Sequence, residues 1–206
     1  MAETPHLKVG DYIHLNFVKI NSFLSAEGVL SENLFVTDSV EFLENILFQI
    51  HLQRQYSAAV ELEIFNERRR ESPEIGKLTT GAQDKRSKKH HKALQKGRDN
   101  ELRMNESFMK ERMGTPVLFG DIIQLFHVKS KKYITLAPSD LARDERENMS
   151  LYLNPEGNSN SWFQILPRYK IDREGDRIPA VTEVYFRCSQ RSNEFYIVLI
   201  VIHLQD

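Results

Sequence analysis

The residues of this chain that could do chemistry are mostly cations. From Lys85 to Arg98 there are seven Lys or Arg and no Asp or Glu: Lys85, Arg86, Lys88, Lys89, Lys92, Lys96 and Arg98. His90 and His91 sit among them. On a helix such a run attracts an acidic protein, calmodulin or an acidic face of a neighbouring subunit being candidates. A solvated helix face has the same composition. Nucleic acid is disfavoured, because no aromatic residue is interleaved to stack on bases. The other candidate is Tyr169, set among Arg168, Lys170, Asp172 and Arg173. An aromatic ringed by charge has the composition of an interface anchor. A tyrosine folded back on the domain rim is the alternative.

Other chemistry finds no support. The seven histidines are scattered, and adjacent His90 and His91 point in different directions on a helix. There is no glycine-rich phosphate loop, no Gly-x-Ser-x-Gly elbow and no calcium loop. The single cysteine, Cys188, falls in a predicted strand and reads as core filler. Alone it makes no internal disulfide, which points to a reducing compartment. No catalytic residue, metal ligand, cofactor site or ligand-binding residue is predicted, and no enzyme.

With 206 residues, 40% hydrophobic and 28% charged, the chain can build one good core or two small ones. Its net charge of -1 advertises no polyanionic partner for the chain as a whole. The opening Met1–His6 is polar and reads as no secretory leader. The longest apolar run, Ile197–Ile202, is far short of the roughly twenty residues a bilayer span needs. It reads as a buried strand, aggregation-prone if unpaired, and no membrane insertion is expected.

The elements that must position these residues come from a repeat. Val9-Gly10-Asp11-Tyr12-Ile13-His14-Leu15 returns as Phe119-Gly120-Asp121-Ile122-Ile123-Gln124-Leu125. Each copy runs on to an aromatic strand, Ser22–Ser25 and Lys132–Thr135, and closes on Phe48-Gln49-Ile50 or Phe163-Gln164-Ile165. Alternation within the copies is the period of half-buried strands. Gly-Asp ahead of each opening strand is turn chemistry. A third copy is damaged. Val181–Phe186 can open it without the glycine, and Asn193–Ile197 matches the aromatic strand, but no closing Phe-Gln-Ile follows. By repeat length, roughly 20–30 residues are lacking. Three units of about four strands predict a mainly β fold, a β-trefoil with an incomplete third repeat. Its closing hairpin is expected to be missing and its barrel core partly open. A sandwich with two similar hairpin pairs is the alternative.

Between the first two copies the alternation stops. Ser57–Arg68 is helical by propensity, with Ser57 as N-cap. Pro73, Gly76, Thr79, Thr80 and Gly81 predict a loop. A second helix is expected from near Asp84 to Arg112, with Gly114 as its C-cap and a kink at Gly97. The predicted organisation is a discontinuous trefoil head, 1–56 and 114–206, and a helix–turn–helix arm over 57–113. Further on, Asp140–Glu147 reads as a charged loop, Asn154–Asn158 as a turn, and Arg168–Arg177 as a charged connection.

The second copy carries a resemblance. Gly120–Thr135, Gly157-Asn158 and Ser161–Lys170 are similar to the amino-terminal domain of inositol trisphosphate receptors. The arm entry Gln55–Ala58, its exit Met113–Thr115 and the His90-His91 pair also resemble that family, more than they resemble ryanodine receptors. The resemblance implies a suppressor-type domain of a homotetrameric calcium-release channel at the cytosolic face of the endoplasmic reticulum membrane. Such a domain does not hold the inositol phosphate. It lowers the affinity of the ligand-binding domains that follow it and passes the signal to neighbouring subunits. The loop with Tyr169 matches the family loop that contacts the adjacent subunit, and the family's phosphate-clamping residues lie outside this sequence. The shortened third copy leaves other readings: a fragment, a mis-spliced product, or a short, free-standing cytosolic module binding a protein, glycan or phosphoinositide.

Overall fold

The structure, a computed structural model, describes residues 5–17, 20–27, 31–39, 41–71, 81–141, 149–189 and 196–204; for 81–84, 139, 141 and 196–204 it describes the backbone. The described strands are β1 (Tyr12–Phe17), β2 (Ser22–Ala26), β3 (Leu34–Thr37), β4 (Phe48–Leu52), β5 (Ile122–His127), β6 (Lys132–Leu141), β7 (Met149–Asn154), β8 (Phe163–Pro167), β9 (Thr182–Cys188) and β10 (Tyr196–Leu204). Two described helices, α1 (Ser57–Glu71) and α2 (Gly81–Arg112), lie between β4 and β5. The chain divides into two compact units, Met1–Gln53 with Arg112–Asp206, and Arg54–Glu111. The expected mainly β class with inserted helices is what is observed.

All strand pairs are antiparallel, and six close a cycle: β1 pairs β4, β4 pairs β5, β5 pairs β8, β8 pairs β9, β9 pairs β10, and β10 returns to β1. Hairpins β2–β3 and β6–β7 extend from β1 and β5. A six-strand ring with two hairpins is consistent with a β-trefoil that carries two of its three hairpins. The repeated phrases build identical turns. Gly10 and Gly120 have φ of 91° and 97°, which an L side chain would strain. Each glycine amide donates to the isoleucine carbonyl of its own Phe-Gln-Ile, Ile50 or Ile165. The Asp11 and Asp121 carboxylates accept from the amides of Lys8 and Leu118, 2.7 and 2.9 Å away. Gln49 and Gln164 donate side-chain N–H to the carbonyls of Gly10 and Gly120, at 2.9 and 3.0 Å. The two sequence signatures are therefore the two halves of one clamp.

Below the ring three segments meet. Leu7 N–H donates to the Ile178 carbonyl, Ile178 N–H to Val117, and Val117 N–H to Leu7. All three side chains are buried, and so are Val9, Phe119 and Ala180, two positions further along each segment. Phe48, Ile50, Phe163, Ile165, Val184 and Phe186 continue the core within the ring. Trp162, beside the buried Phe163, is only half-buried. Cys188 is buried as expected.

The third copy departs from the expectation of an open core. Strand β10 begins as the aromatic strand, Tyr196 opposite Arg187, in the register of Tyr133 opposite Phe126. After an irregularity between Ile197 and Ile200 it takes the closing register. Ile200 stands opposite Val184 as Phe48 does opposite Ile13, and Ile202 opposite Leu15 as Ile50 does opposite Leu125. Tyr133 and Phe163 are 30 positions apart, but Tyr196 and Ile200 only four. Among the described residues no third hairpin is present, and the ring is not broken, because the apolar run supplies the closing strand. Residues 193–195 of the aromatic match lie outside the described residues. So do 72–80 of the inter-helix loop and 142–147 of the charged loop, whose Asp140 belongs to β6.

The two hairpins differ in what they bury. Leu153 of β7 is fully buried; its amide donates to the Glu32 carbonyl of the first hairpin. Val36 holds the matching register in β3, opposite Leu24 as Leu153 is opposite Ile134, yet is 45% exposed. Leu153→Ala is therefore expected to cost about 2–5 kcal/mol in chemical denaturation. Val36→Ala should cost under about 1 kcal/mol.

His127, at the end of β5, is fully buried against Phe48. Its Nε2 lies 3.2 Å from the Asn45 carbonyl, an acceptor, so Nε2 carries the proton and Nδ1 accepts from the Ser130 hydroxyl at 2.7 Å. Burial lowers its pKa, and the cationic Lys129 adds to this, while backbone carbonyl partners and Glu44 oppose it. A histidine kept neutral in the fold makes the unfolded chain the better proton acceptor. Its contribution is complete above the ordinary value near 6.5 and is lost as pH falls below it, by up to about 1.4 kcal/mol per pH unit. Denaturation midpoints at a series of pH values should show this slope, and His127→Gln should remove its share.

Candidate interaction surfaces

The chain leaves the ring after β8, whose last pair is Pro167 with Val184. One position further on, Arg168 and Glu183 form an ion pair, 2.5 Å apart. The Arg168 guanidinium also lies over the Tyr169 ring, 5.3 Å from its centroid. The Tyr169 hydroxyl donates to the same Glu183 carboxylate at 3.0 Å. That bond is the main cause of a pKa raised above the ordinary tyrosine value, with Arg168 opposing. Tyr169 is still 50% exposed, so its hydroxyl is tethered to the rim while much of its ring stays in solvent.

The loop is ordered by its backbone. Asp172 N–H donates to the Tyr169 carbonyl, and Arg173 N–H to the Asp176 carboxylate at 2.9 Å. Lys170 and Arg173 are exposed and Asp172 is half-buried. The most exposed large apolar side chain among the described residues is Ile171, at 85%. Sequence reading passed over it in favour of the aromatic. Its signal was available: an isoleucine between Lys170 and Asp172 in a charged connection has no route to a core.

In the other unit α1 and α2 run antiparallel. Phe65 meets His90 and His91, with centroids 5.2 and 5.7 Å apart. Ala58 lies near Gly97, and Gln55 near Asn105. The Glu101 carboxylate accepts from the amides of Ala58 and Ala59 at 3.0 and 3.3 Å, so a residue of α2 caps the start of α1. Asn105 is buried and bonds both backbone groups of Gln55, each at 2.9 Å. Gly97 lies inside one uninterrupted helix, where a Cβ would come within 3.8 Å of the Ala58 Cβ. Its position matches close approach of α1. Lys85, Arg86, Lys88, Lys89, Lys92 and Lys96 are exposed, whereas Arg98, next to Gly97, is half-buried. The seven predicted cations thus do not share one surface.

Among the described residues no group of three or more His, Cys, Asp or Glu could hold a metal. No described helix is long and apolar enough to cross a membrane. The family model for the inositol 1,4,5-trisphosphate/ryanodine receptor matches residues 2–203. The chain belongs to this family. A curated relative is the inositol 1,4,5-trisphosphate receptor itr-1 of Caenorhabditis elegans, 41% identical over 86 residues. The match covers 42% of this chain and 3% of that receptor, so the chain spans a small part of its relative's length.

Within this receptor family member, Glu183 is the residue that fixes the Tyr169 ring. Glu183→Gln is expected to lower the Tyr169 ionisation toward the ordinary tyrosine value without unfolding the domain. Ultraviolet titration checks this, with Tyr169→Phe subtracted to isolate one tyrosine of the seven.

Proposed function

We propose that this chain is a non-catalytic regulatory domain of an inositol trisphosphate-gated intracellular calcium-release channel. It modulates ligand affinity in the domains that follow it and transmits gating to neighbouring subunits of a homotetramer at the cytosolic face of the endoplasmic reticulum membrane. The observation that carries this reading is the family match across residues 2–203, nearly the whole chain. The loop of Arg168, Tyr169, Lys170, Asp172 and Arg173 serves as the subunit contact. Its geometry supports that role, because Glu183 pre-orders a half-exposed aromatic and so reduces the entropy lost on docking. Ile171 beside it adds an apolar contact. The exposed cations from Lys85 to Lys96 form a basic face separate from that loop.

The ligand itself binds elsewhere. A trisphosphate needs cations converging from more than one side. Within the arm, α1 packs on one side of α2 and the lysines occupy an outward face. Isothermal titration of this chain with inositol trisphosphate is expected to show no binding at micromolar concentration or below. In a full-length receptor carrying this domain, Tyr169→Ala should leave inositol trisphosphate binding unchanged and impair calcium release. A folded mutant that gates like wild type would refute the assignment of the loop.

A further inference from the structure

The direction of the lysines on α2 decides what they suit. At 100° per residue, Lys85, Lys88, Lys89, Lys92 and Lys96 fall within an arc of about 100°. The side of α2 that meets α1 is marked independently, by His91 against Phe65, Gly97 against Ala58, and Glu101 and Asn105 against the start of α1. Those positions lie about 180° from the lysine arc. The lysines therefore line the back of α2, away from α1, along roughly 17 Å of continuous helix. All five are exposed. The antiparallel packing brings a second cluster to the same end of the arm. Arg68, Arg69 and Arg70 form the last turn of α1, just beyond Phe65, which meets His90 and His91.

From Lys85 to Lys96 the apolar residues are Ala93 and Leu94, and Leu94 is half-buried on the side of α1. Helix-in-groove capture by a calmodulin-like protein needs apolar anchors at spacings of three, four and seven on a free face. Protein interfaces in general centre on aromatics and are depleted in lysine. This face offers neither. What it offers is a linear row of flexible cations without a concavity. Such a row responds to the charge density of a flat surface and does not read the shape of one headgroup.

We propose that the lysine face of α2, with the arginine turn of α1 beside it, docks reversibly on an anionic lipid bilayer surface by electrostatic attraction without insertion. This goes beyond the channel-regulatory reading and stands or falls separately from it.

The test is co-sedimentation of the 206-residue chain with phosphatidylcholine vesicles, alone or with about one-third phosphatidylserine. Binding to the acidic vesicles only is expected at about 0.05 M salt, and its loss is expected at about 0.5 M. Replacing Lys89, Lys92 and Lys96 by Gln should lower the partition coefficient at least about tenfold, and replacing them by Arg should preserve it. The salt response of the unsubstituted chain reads the same property with no variant. Equal sedimentation with neutral and acidic vesicles would overturn the proposal. So would unchanged partition of the Gln variant. Capture of calcium-loaded calmodulin by this face, without vesicle binding, would assign it to an acidic protein instead.

Discussion

Three backbone hydrogen bonds, from Leu7 to Ile178, from Ile178 to Val117 and from Val117 to Leu7, hold together segments that are far apart in sequence. The rest of the head depends on this junction. Each of the three segments leads directly into an opening strand, β1, β5 or β9, so their mutual position sets where the ring starts three times over. The buried side chains of Leu7, Val117 and Ile178 place the junction in the core, where an unmade amide bond costs far more than a made one returns. Gly10 and Gly120 turn the chain out of the junction, and the carboxylates of Asp11 and Asp121 hold those turns.

This arrangement explains why the functional candidates fall where they do. The stretch between β4 and Gly114 holds the helical unit, and the stretch between β8 and Gly175 holds the loop with Tyr169. Gly114 and Gly175 are equivalent: each has positive φ and donates its amide to the residue before a clamp glycine, Val9 or Phe119. One connection has about sixty residues and the other fewer than ten, and loop-closure entropy grows only slowly with length. The ends are fixed by the junction, so the connection between them is free to carry function. In the third copy the clamp itself is relaxed. Val181 takes the place of the glycine and is 63% exposed, and β10 closes the ring by register alone.

Much of the fold was legible because period-two alternation and Gly-Asp turns are local. The opening, aromatic and closing strands of the first two copies stand where Gly10-Asp11, Gly120-Asp121 and the two Phe-Gln-Ile phrases put them. The closure by β10 was not legible. Its residues from Ile197 to Ile202 match no closing phrase, and only pairing with both β1 and β9 reveals that one strand plays two parts. The loop around Tyr169 was legible by composition, but the Glu183 tether was not, since it depends on a cross-strand register. Likewise the lysine run was plain in sequence, whereas the sorting of Arg98 away from the lysines needed the direction of α1. Ile171 was missed although its charged neighbours, Lys170 and Asp172, already left it no route to a core.

The central claim is that one three-way junction organises all three copies. Amide hydrogen exchange in the intact chain tests it most directly, on Leu7, Val117 and Ile178 with and without Gly120→Ala. That substitution strains a turn at φ of 97° in the second copy, with its Cβ in ordinary contact at 3.5 Å from Glu174. If the junction is one cooperative unit, the three amides exchange at a common slow rate in the wild type, and all three accelerate together in the variant. Acceleration confined to Val117, with Leu7 and Ile178 unchanged, would contradict the account.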